Sequence, residues 1–193
     1  MTGRPAAFVD RDGTIIRDAS YVRNPDDVEL LPGAANAIRQ LNERGIPVIV
    51  VTNQSGIARQ WLTHQDYEAV RERLDTLLRA QGATIDQTYM CPHHPDITGP
   101  CDCRKPGLGL YQRAIVDHGL DASRSLFTGD RLRDVTPAAA LGGLGILLDV
   151  ESTPPGDLIR ARAESVVVAP TLAAAVDAFV DKFFAALPAS GLA

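Results

Sequence analysis

The chain has no excess of basic charge: 19 Lys and Arg stand against 24 Asp and Glu, for a net charge of −5. Binding a phosphate backbone needs a basic face, so the acidic balance and the dispersal of the basic residues argue against a nucleic-acid partner. No apolar run approaches the length of a bilayer span, which argues against a membrane partner. No basic segment followed by a long apolar stretch and a cleavage site marks a secretion signal, and the expected compartment is the cytoplasm. Internal repeats and long linkers are missing too. Cysteine is scarce, with 3 in 193 residues, and an odd count without a secretion signal makes a disulfide framework improbable. What is present is a 45% hydrophobic chain, enough to bury a full core, and one domain over residues 1–193 is expected.

Apolar runs and amphipathic stretches alternate, the pattern of a largely parallel sheet with helices on both faces. Strands are expected at 6–9, 47–51, 85–90, 125–128, 145–148 and 166–168. Helices are expected at 34–43, ending at Gly45, at 66–80 with Val70, Leu74, Leu77 and Leu78 as an apolar stripe, at 108–117, and at 170–187. Residues 151–156 read as a loop broken by Pro154 and Pro155, and the last six residues are expected to fray.

Behind the first strand come Asp10, Arg11, Asp12, Gly13 and Thr14. Side chains alternate along a strand, so Asp10 and Asp12 face one way while Arg11 points elsewhere, and Gly13 lets the chain turn. Two carboxylates so spaced suit phosphoryl transfer, one attacking phosphorus and the other giving a proton to the leaving oxygen. Three later segments supply what that reaction lacks. Thr52 to Gly56, behind the second strand, offer a hydroxyl and amides for phosphate oxygens. Arg104 and Lys105, stopped by Pro106, offer two cations to a transferring phosphoryl group. Asp130, behind a fourth strand and four residues before Asp134, offers a hard oxygen ligand suited to Mg²⁺.

All three cysteines fall within thirteen residues, at 91, 101 and 103, beside His93 and His94. Three thiolates and one imidazole fill a tetrahedral Zn²⁺ shell, which makes the expected metal structural. Pro92 and Pro95 stiffen the first arm, and Gly99 and Pro100 bend the chain back. Spacing alone leaves either His93 or His94 as the imidazole ligand.

These segments, in this order, resemble the haloacid dehalogenase superfamily of phosphatases over roughly residues 6–148. With Cys-Pro-His-His-Pro from 91 and Cys-Asp-Cys-Arg-Lys-Pro from 101, which look like a shared zinc loop of about 91–105, the resemblance narrows. It points to the D-glycero-D-manno-heptose 1,7-bisphosphate 7-phosphatases, relatives of the histidinol-phosphate phosphatases. Thr-Asn-Gln-Ser-Gly-Ile-Ala-Arg, residues 52–59, is similar to the heptose enzymes in particular. The resemblance implies a three-layer, Rossmann-like α/β fold with a mostly parallel sheet, a zinc-binding loop and no large cap domain. It implies an enzyme removing the 7-phosphate of the heptose bisphosphate to leave heptose 1-phosphate, on a small-molecule sugar phosphate substrate; the small, capless architecture points to a monomer. By the same resemblance Asp10 is the nucleophile that becomes an aspartyl phosphate, and Asp12 is the acid that later activates water. Mg²⁺ is held by the Asp10 carboxylate, the Asp12 backbone carbonyl and Asp130, with Asp134 an outer partner. Thr52 and Lys105 grip phosphoryl oxygens. Asp18, Ala19, Ser20, Tyr21, Asn53, Gln54 and Ser55 match positions that touch the sugar, Arg104 a recognition position, and Cys91, His93, Cys101 and Cys103 the zinc ligands. Arg131, Arg104 or Arg59 would meet a distal phosphate. Gln60 and Arg131 depart from the heptose pattern, and histidinol phosphate, or another small phosphoester, is the alternative substrate. A phospho-accepting or zinc-dependent interaction module is the non-enzyme alternative; Asp12 and Lys105 would be surplus to it.

Overall fold

The computed structural model describes residues 3–19 and 21–184. The elements run β1 (Ala7–Val9), α1 (Ala34–Glu43), β2 (Val48–Asn53), α2 (His64–Arg79), β3 (Gln87–Cys91), α3 (Pro95–Thr98) and α4 (Gly109–His118). They continue with β4 (Leu126–Gly129), α5 (Leu132–Val135), α6 (Pro137–Leu141), β5 (Leu144–Leu148), α7 (Pro155–Ala163), β6 (Val167–Ala169) and α8 (Leu172–Phe184).

The six strands form one sheet in the order β3-β2-β1-β4-β5-β6, every neighbouring pair parallel. The chain moves outward from β1 through β2 to β3, then returns to the other side of β1 with β4. That reversal opens a crevice beyond the carboxyl ends of β1 and β4, where ligands of open α/β sheets bind. Val9 is level with both Val50 and Thr128, so the residues following β1 and β4 emerge side by side, next to the last residues of β2.

Strand alternation divides the core. Ala7, Val9, Val48, Val50, Leu126, Ile146 and Leu148 face a layer built from α1, α2 and α8, including Ile38, Leu41, Val70, Leu74, Val176 and Phe179. Phe8, Ile49, Val51 and Phe127 face the opposite layer, with Leu110, Tyr111 and Ala114 of α4. Leu147 packs there against Leu132, Val135 and Ala161. Strands buried on both faces are necessarily apolar at consecutive positions, which is why β2 reads as a continuous run.

The helix at 34–43 lies where its periodicity puts it, and Gly45, at φ +66°, closes it in the left-handed conformation. The second helix begins two residues earlier than expected, because Thr63 and Asp66 form a reciprocal capping box across its first turn. The segment expected as a loop through 156 is a helix from Pro155 onward: proline there occupies the first helical position, where its missing N–H costs nothing. The four-residue α3 and α5 and the five-residue α6 are too short to show a period in the sequence. Residues 185–187 of the expected last helix and the six terminal residues lie outside the described residues. Among the described residues no helix is long and apolar enough to cross a membrane.

Candidate active site

The crevice at the β1/β4 reversal is a cavity whose walls come from five stretches of chain. Behind β1 stand Asp10 and Asp12, then Asp18 and Tyr21; Thr52 and Asn53 end β2, and Gln54 and Ser55 follow it. Arg104 and Lys105 enter from the segment after the cysteines, and Asp130, Arg131 and Arg133 come from the end of β4 and the start of α5.

The turn after β1 is built from the backbone of Arg11, whose carbonyl accepts from the N–H of Ile15 at 2.9 Å and of Ile16 at 3.1 Å. Gly13 sits within it at φ +73°, and a Cβ there would collide with the Asp130 carboxylate and the Ser152 hydroxyl. Glycine is required twice over, by conformation and by space. The closeness of this turn to β4 holds Asp10 and Asp130 in one site.

Lys105 is buried and donates to Asp10 Oδ1 at 2.7 Å and to the Val51 carbonyl at 2.6 Å; its Nζ lies 2.8 Å from Asp134 Oδ1. Burial alone would pull its pKa down, but the facing Asp10 and Asp134 carboxylates outweigh that and hold it above the ordinary value. The loop carrying it is clamped by Asn53, whose Oδ1 accepts from Lys105 N at 3.0 Å and whose Nδ2 donates to Lys105 O at 3.2 Å. After Pro106 the chain turns tightly, Gly107 N donating to Arg104 O at 2.7 Å.

The negative groups outnumber this cation. One carboxylate oxygen each from Asp10, Asp130 and Asp134 gathers within 4.8 Å, all three residues buried. Burial pushes Asp10 up to about 7, Lys105 opposing and Asp134 and Asp12 adding to the rise. Burial likewise pushes Asp130 up to about 6, against the Ser152 hydroxyl that faces it. Carboxylates so destabilised in their charged form, with hard oxygens converging, fit a divalent cation of the Mg²⁺ kind.

Asp12 is held differently. Arg11 does not point away, as alternation predicts, but curls back to form a fork on the Asp12 carboxylate: Nη2 to Oδ1 at 2.9 Å, Nε to Oδ2 at 3.1 Å. The residue is already in the turn, where strand alternation no longer rules. Gln54 Nε2 donates to Asp12 Oδ2 at 2.8 Å and to Thr52 Oγ1 at 2.9 Å.

The cysteine segment brings together Cys91, His93, Cys101 and Cys103. Sulfur separations of 3.0, 3.3 and 3.8 Å exclude disulfide bonds, and His93 Nδ1 lies 3.2 Å from Cys103 Sγ and 3.9 Å from Cys91 Sγ. Zn–S bonds of about 2.3 Å at tetrahedral angles put sulfurs about 3.8 Å apart, so the set closes on one Zn²⁺ ion with little movement. His94 turns elsewhere: its Nε2 meets Arg59 Nη2 at 2.6 Å and its Nδ1 caps α3 by accepting from Asp96 N. The Arg104 guanidinium donates to the His93 carbonyl at 3.3 Å, tying cavity to cysteine loop.

Of the residues expected around a substrate, Ala19 lies instead beside a neighbouring hollow with Val22 and Asn24, and Ser20 is outside the described residues. Arg59 is not on the cavity wall; it stacks over Trp61 at 4.8 Å, and Trp61 meets the Tyr21 ring edge-on, also at 4.8 Å. Arg131 bridges Asp18 at 3.3 Å and Asp130 at 3.2 Å. Arg133 and Ser152 were not anticipated. The one signal for Arg133 is its place two residues beyond Arg131, just after β4; Ser152 carries only its place behind β5.

Comparison with known proteins agrees with this geometry. The family model for polynucleotide kinase 3 phosphatase matches residues 5–138, and that for HAD-hydrolase-like proteins matches residues 102–175. The D-glycero-beta-D-manno-heptose-1,7-bisphosphate 7-phosphatase of Haemophilus ducreyi is 40% identical over 145 residues, 72% of this chain and 80% of its own. That of Photorhabdus laumondii is 36% identical over 171 residues, 86% of this chain and 90% of its own. The D,D-heptose 1,7-bisphosphate phosphatase of B. bronchiseptica, solved with magnesium and phosphate, superposes with a TM-score of 0.83 at 30% identity, over 92% of this chain and 99% of that one. With that sequence identity carried across most of both chains on the same fold, this chain belongs to the haloacid dehalogenase phosphatases, in the family of the D-glycero-beta-D-manno-heptose-1,7-bisphosphate 7-phosphatases.

Proposed function

We propose that this phosphatase removes the 7-phosphate from D-glycero-D-manno-heptose 1,7-bisphosphate, leaving heptose 1-phosphate, with all of residues 1–193 acting as one monomeric, cytoplasmic unit. One observation supports this reading most: the cavity is cationic in two places. Lys105 is bound to the paired aspartates at its floor, while Arg104, Arg131 and Arg133 stand on its walls. A substrate with two phosphates, one reacting and one not, fits that division.

In this reading Asp10 attacks phosphorus and carries the phosphoryl group as an aspartyl phosphate. Lys105, 2.7 Å from Asp10 Oδ1, favours the ionised nucleophile against the effect of burial and draws charge from the phosphoryl oxygens, with the Thr52 hydroxyl beside it. Asp12 gives its proton to the departing sugar oxygen and later takes one from the attacking water. Mg²⁺ bound by Asp10, Asp130 and the Asp12 carbonyl would offset the repulsion between carboxylate and phosphate. Tyr21, Ser55 and Asp18 would meet the sugar. Asn53 would act chiefly through the Lys105 loop it clamps. Zn²⁺ held by Cys91, His93, Cys101 and Cys103 would fix Arg104 and Lys105 over the site.

One feature favours a monophosphate such as histidinol phosphate: Arg131 is already engaged by Asp18 and Asp130. The deciding experiment is Mg²⁺-dependent phosphate release from both anomers of the heptose bisphosphate and from histidinol phosphate, with Asp10→Asn as the blank. A strong preference for one heptose anomer is expected. Preference for histidinol phosphate would overturn the substrate and leave the catalytic roles standing.

A further inference from the structure

Arg11 is among the most deeply buried side chains of the protein, at 2% exposure, although it stands between two cavity residues. Its guanidinium lies 5.6 Å from the centre of the buried Tyr67 ring, and Nη1 has no hydrogen-bond partner. Asp12 supplies the carboxylate that compensates its charge. A cation buried this way is costly, and the turn that Arg11 builds uses only its backbone. The side chain therefore has a purpose other than the fold, and the Asp12 carboxylate is what it acts on.

An ionised carboxylate has about four acceptor positions. On Asp12, Oδ2 takes Arg11 Nε and Gln54 Nε2, while Oδ1 takes Arg11 Nη2 alone. One position stays open, on Oδ1. Asp12 is 23% exposed and lines the cavity, so that position is the one that the reaction can use. We propose that Arg11 is a positioning residue that, with Gln54, occupies the other acceptor sites of Asp12 and so directs proton transfer through Oδ1. The proposal rests on the reading of Asp12 as the acid and base of the reaction.

The two half-reactions show what the fork does. In the first, an Asp10 oxygen bonds to phosphorus, the bond from phosphorus to the sugar oxygen breaks with its electron pair going to that oxygen, and the proton on Asp12 Oδ1 moves onto it. In the second, a water oxygen bonds to phosphorus while its proton passes to Asp12 Oδ1. The bond from phosphorus to Asp10 then breaks, returning its pair to the carboxylate and releasing inorganic phosphate. The same atom gives and takes the proton, so the carboxylate must not rotate between the steps. A two-point guanidinium fork prevents that rotation; a single ammonium cannot.

The test is a double-mutant cycle with Asp12→Asn, read in kcat and KM on the preferred substrate of the panel and in pre-steady-state release from 4-nitrophenyl phosphate. Arg11→Gln should lower kcat about a hundredfold, the range of general acid–base catalysis, with KM within about threefold. On the Asp12→Asn background it should cost less than about twofold, because residues acting as one unit are not additive. Nitrophenolate leaves without a proton, so Arg11→Gln and Asp12→Asn should each give a burst near one equivalent and then slow turnover. Arg11→Lys keeps the buried charge without the fork, carries the same cycle if Arg11→Gln does not fold, and should lose about tenfold. Full kcat in Arg11→Gln, or losses that add to those of Asp12→Asn, would overturn the proposal. Full activity in Asp12→Asn alone would instead overturn the reading of Asp12 on which it rests.

Discussion

Among the described residues, two clusters of donors suit metal ions, and they are held together by opposite means. Asp10, Asp130 and Asp134 are buried at the ends of hydrogen-bonded strands and on the short helix that follows, with Lys105 already between two of them. Cys91 ends a strand, but His93, Cys101 and Cys103 are half-buried on irregular chain. Their donor atoms meet mainly one another, with no counter-charge among them. The sheet shapes the first cluster and leaves it with too much negative charge. The second lies mostly outside the sheet, and an ion among its sulfurs would tie its arms together. Metal loss should therefore change the charge of one and the geometry of the other.

The sharpest contrast is chemical. Asp10→Asn should abolish turnover, by at least about a thousandfold, since an amide cannot form the acyl phosphate. It should not lower the melting temperature in Mg²⁺-free buffer at pH 8, because it removes a carboxylate that burial destabilises. A melting temperature several degrees lower would mean that the Asp10–Lys105 pair holds the sheet ends together.

Next in size is the cysteine cluster. Cys103→Ser, or removal of zinc, should lower the melting temperature and cut turnover at least about tenfold, the effect of losing the support of a positioned group. Arg104 and Lys105 follow Cys103 directly, and Arg104 donates to the His93 carbonyl, so disorder in the loop displaces both cations. Mg²⁺ binding, measured by calorimetry, should persist. Full activity in a verified zinc-free, folded sample would break the comparison.

How much of this contrast was legible in the sequence follows from how each cluster is built. Asp10, Asp12, Thr52 and Asp130 lie directly behind apolar runs, so finding the strands finds the residues, and a parallel sheet brings strand ends together. The cysteines are close in sequence, so their meeting needs little fold at all. The choice of His93 over His94 was beyond spacing; it depends on His94 capping α3, a four-residue helix with no period to read. Arg133 reaches the site from the short α5 and Ser152 from the loop behind β5, and Arg11 turns back because it lies past the strand. Each of these misses comes from a turn or from a helix of about one turn, where alternation and helical period both lapse.

The pH dependence of stability should differ with and without Mg²⁺. Asp10 and Asp130 titrate near 7 and 6 in the folded chain against an ordinary 3.8. Between those values the folded state keeps protons that the unfolded chain has released, so stability falls as pH rises through the window. From pH 6 to pH 8 the Mg²⁺-free protein should lose several degrees of melting temperature, at about 2–4 °C per kcal/mol. Mg²⁺ binds the ionised carboxylates and should remove most of that loss. Equal pH slopes in both buffers would mean that the acidic cluster is balanced without a metal.

The smallest effect should come from the link between the two regions that runs over the surface. Arg59 meets His94 of the cysteine segment and stacks on Trp61, which packs edge-on against Tyr21, and Tyr21 O–H lies 3.4 Å from Ser55 Oγ in the cavity. Tyr21 holds φ +72°, a conformation a bulky residue keeps only when its neighbours enforce it. Arg59→Met removes the hydrogen bond to His94 and the cation from the indole, interactions worth about 1 kcal/mol each at partly exposed sites. It should raise KM about two- to fivefold, by loosening Tyr21, and leave kcat within about twofold. Because Trp61 is the single tryptophan of the chain, its fluorescence reports the same event: substrate should change the emission of the wild type more than that of Arg59→Met. An unchanged KM with an unchanged fluorescence response would show that the cysteine loop reaches the active site through Arg104 and Lys105 alone.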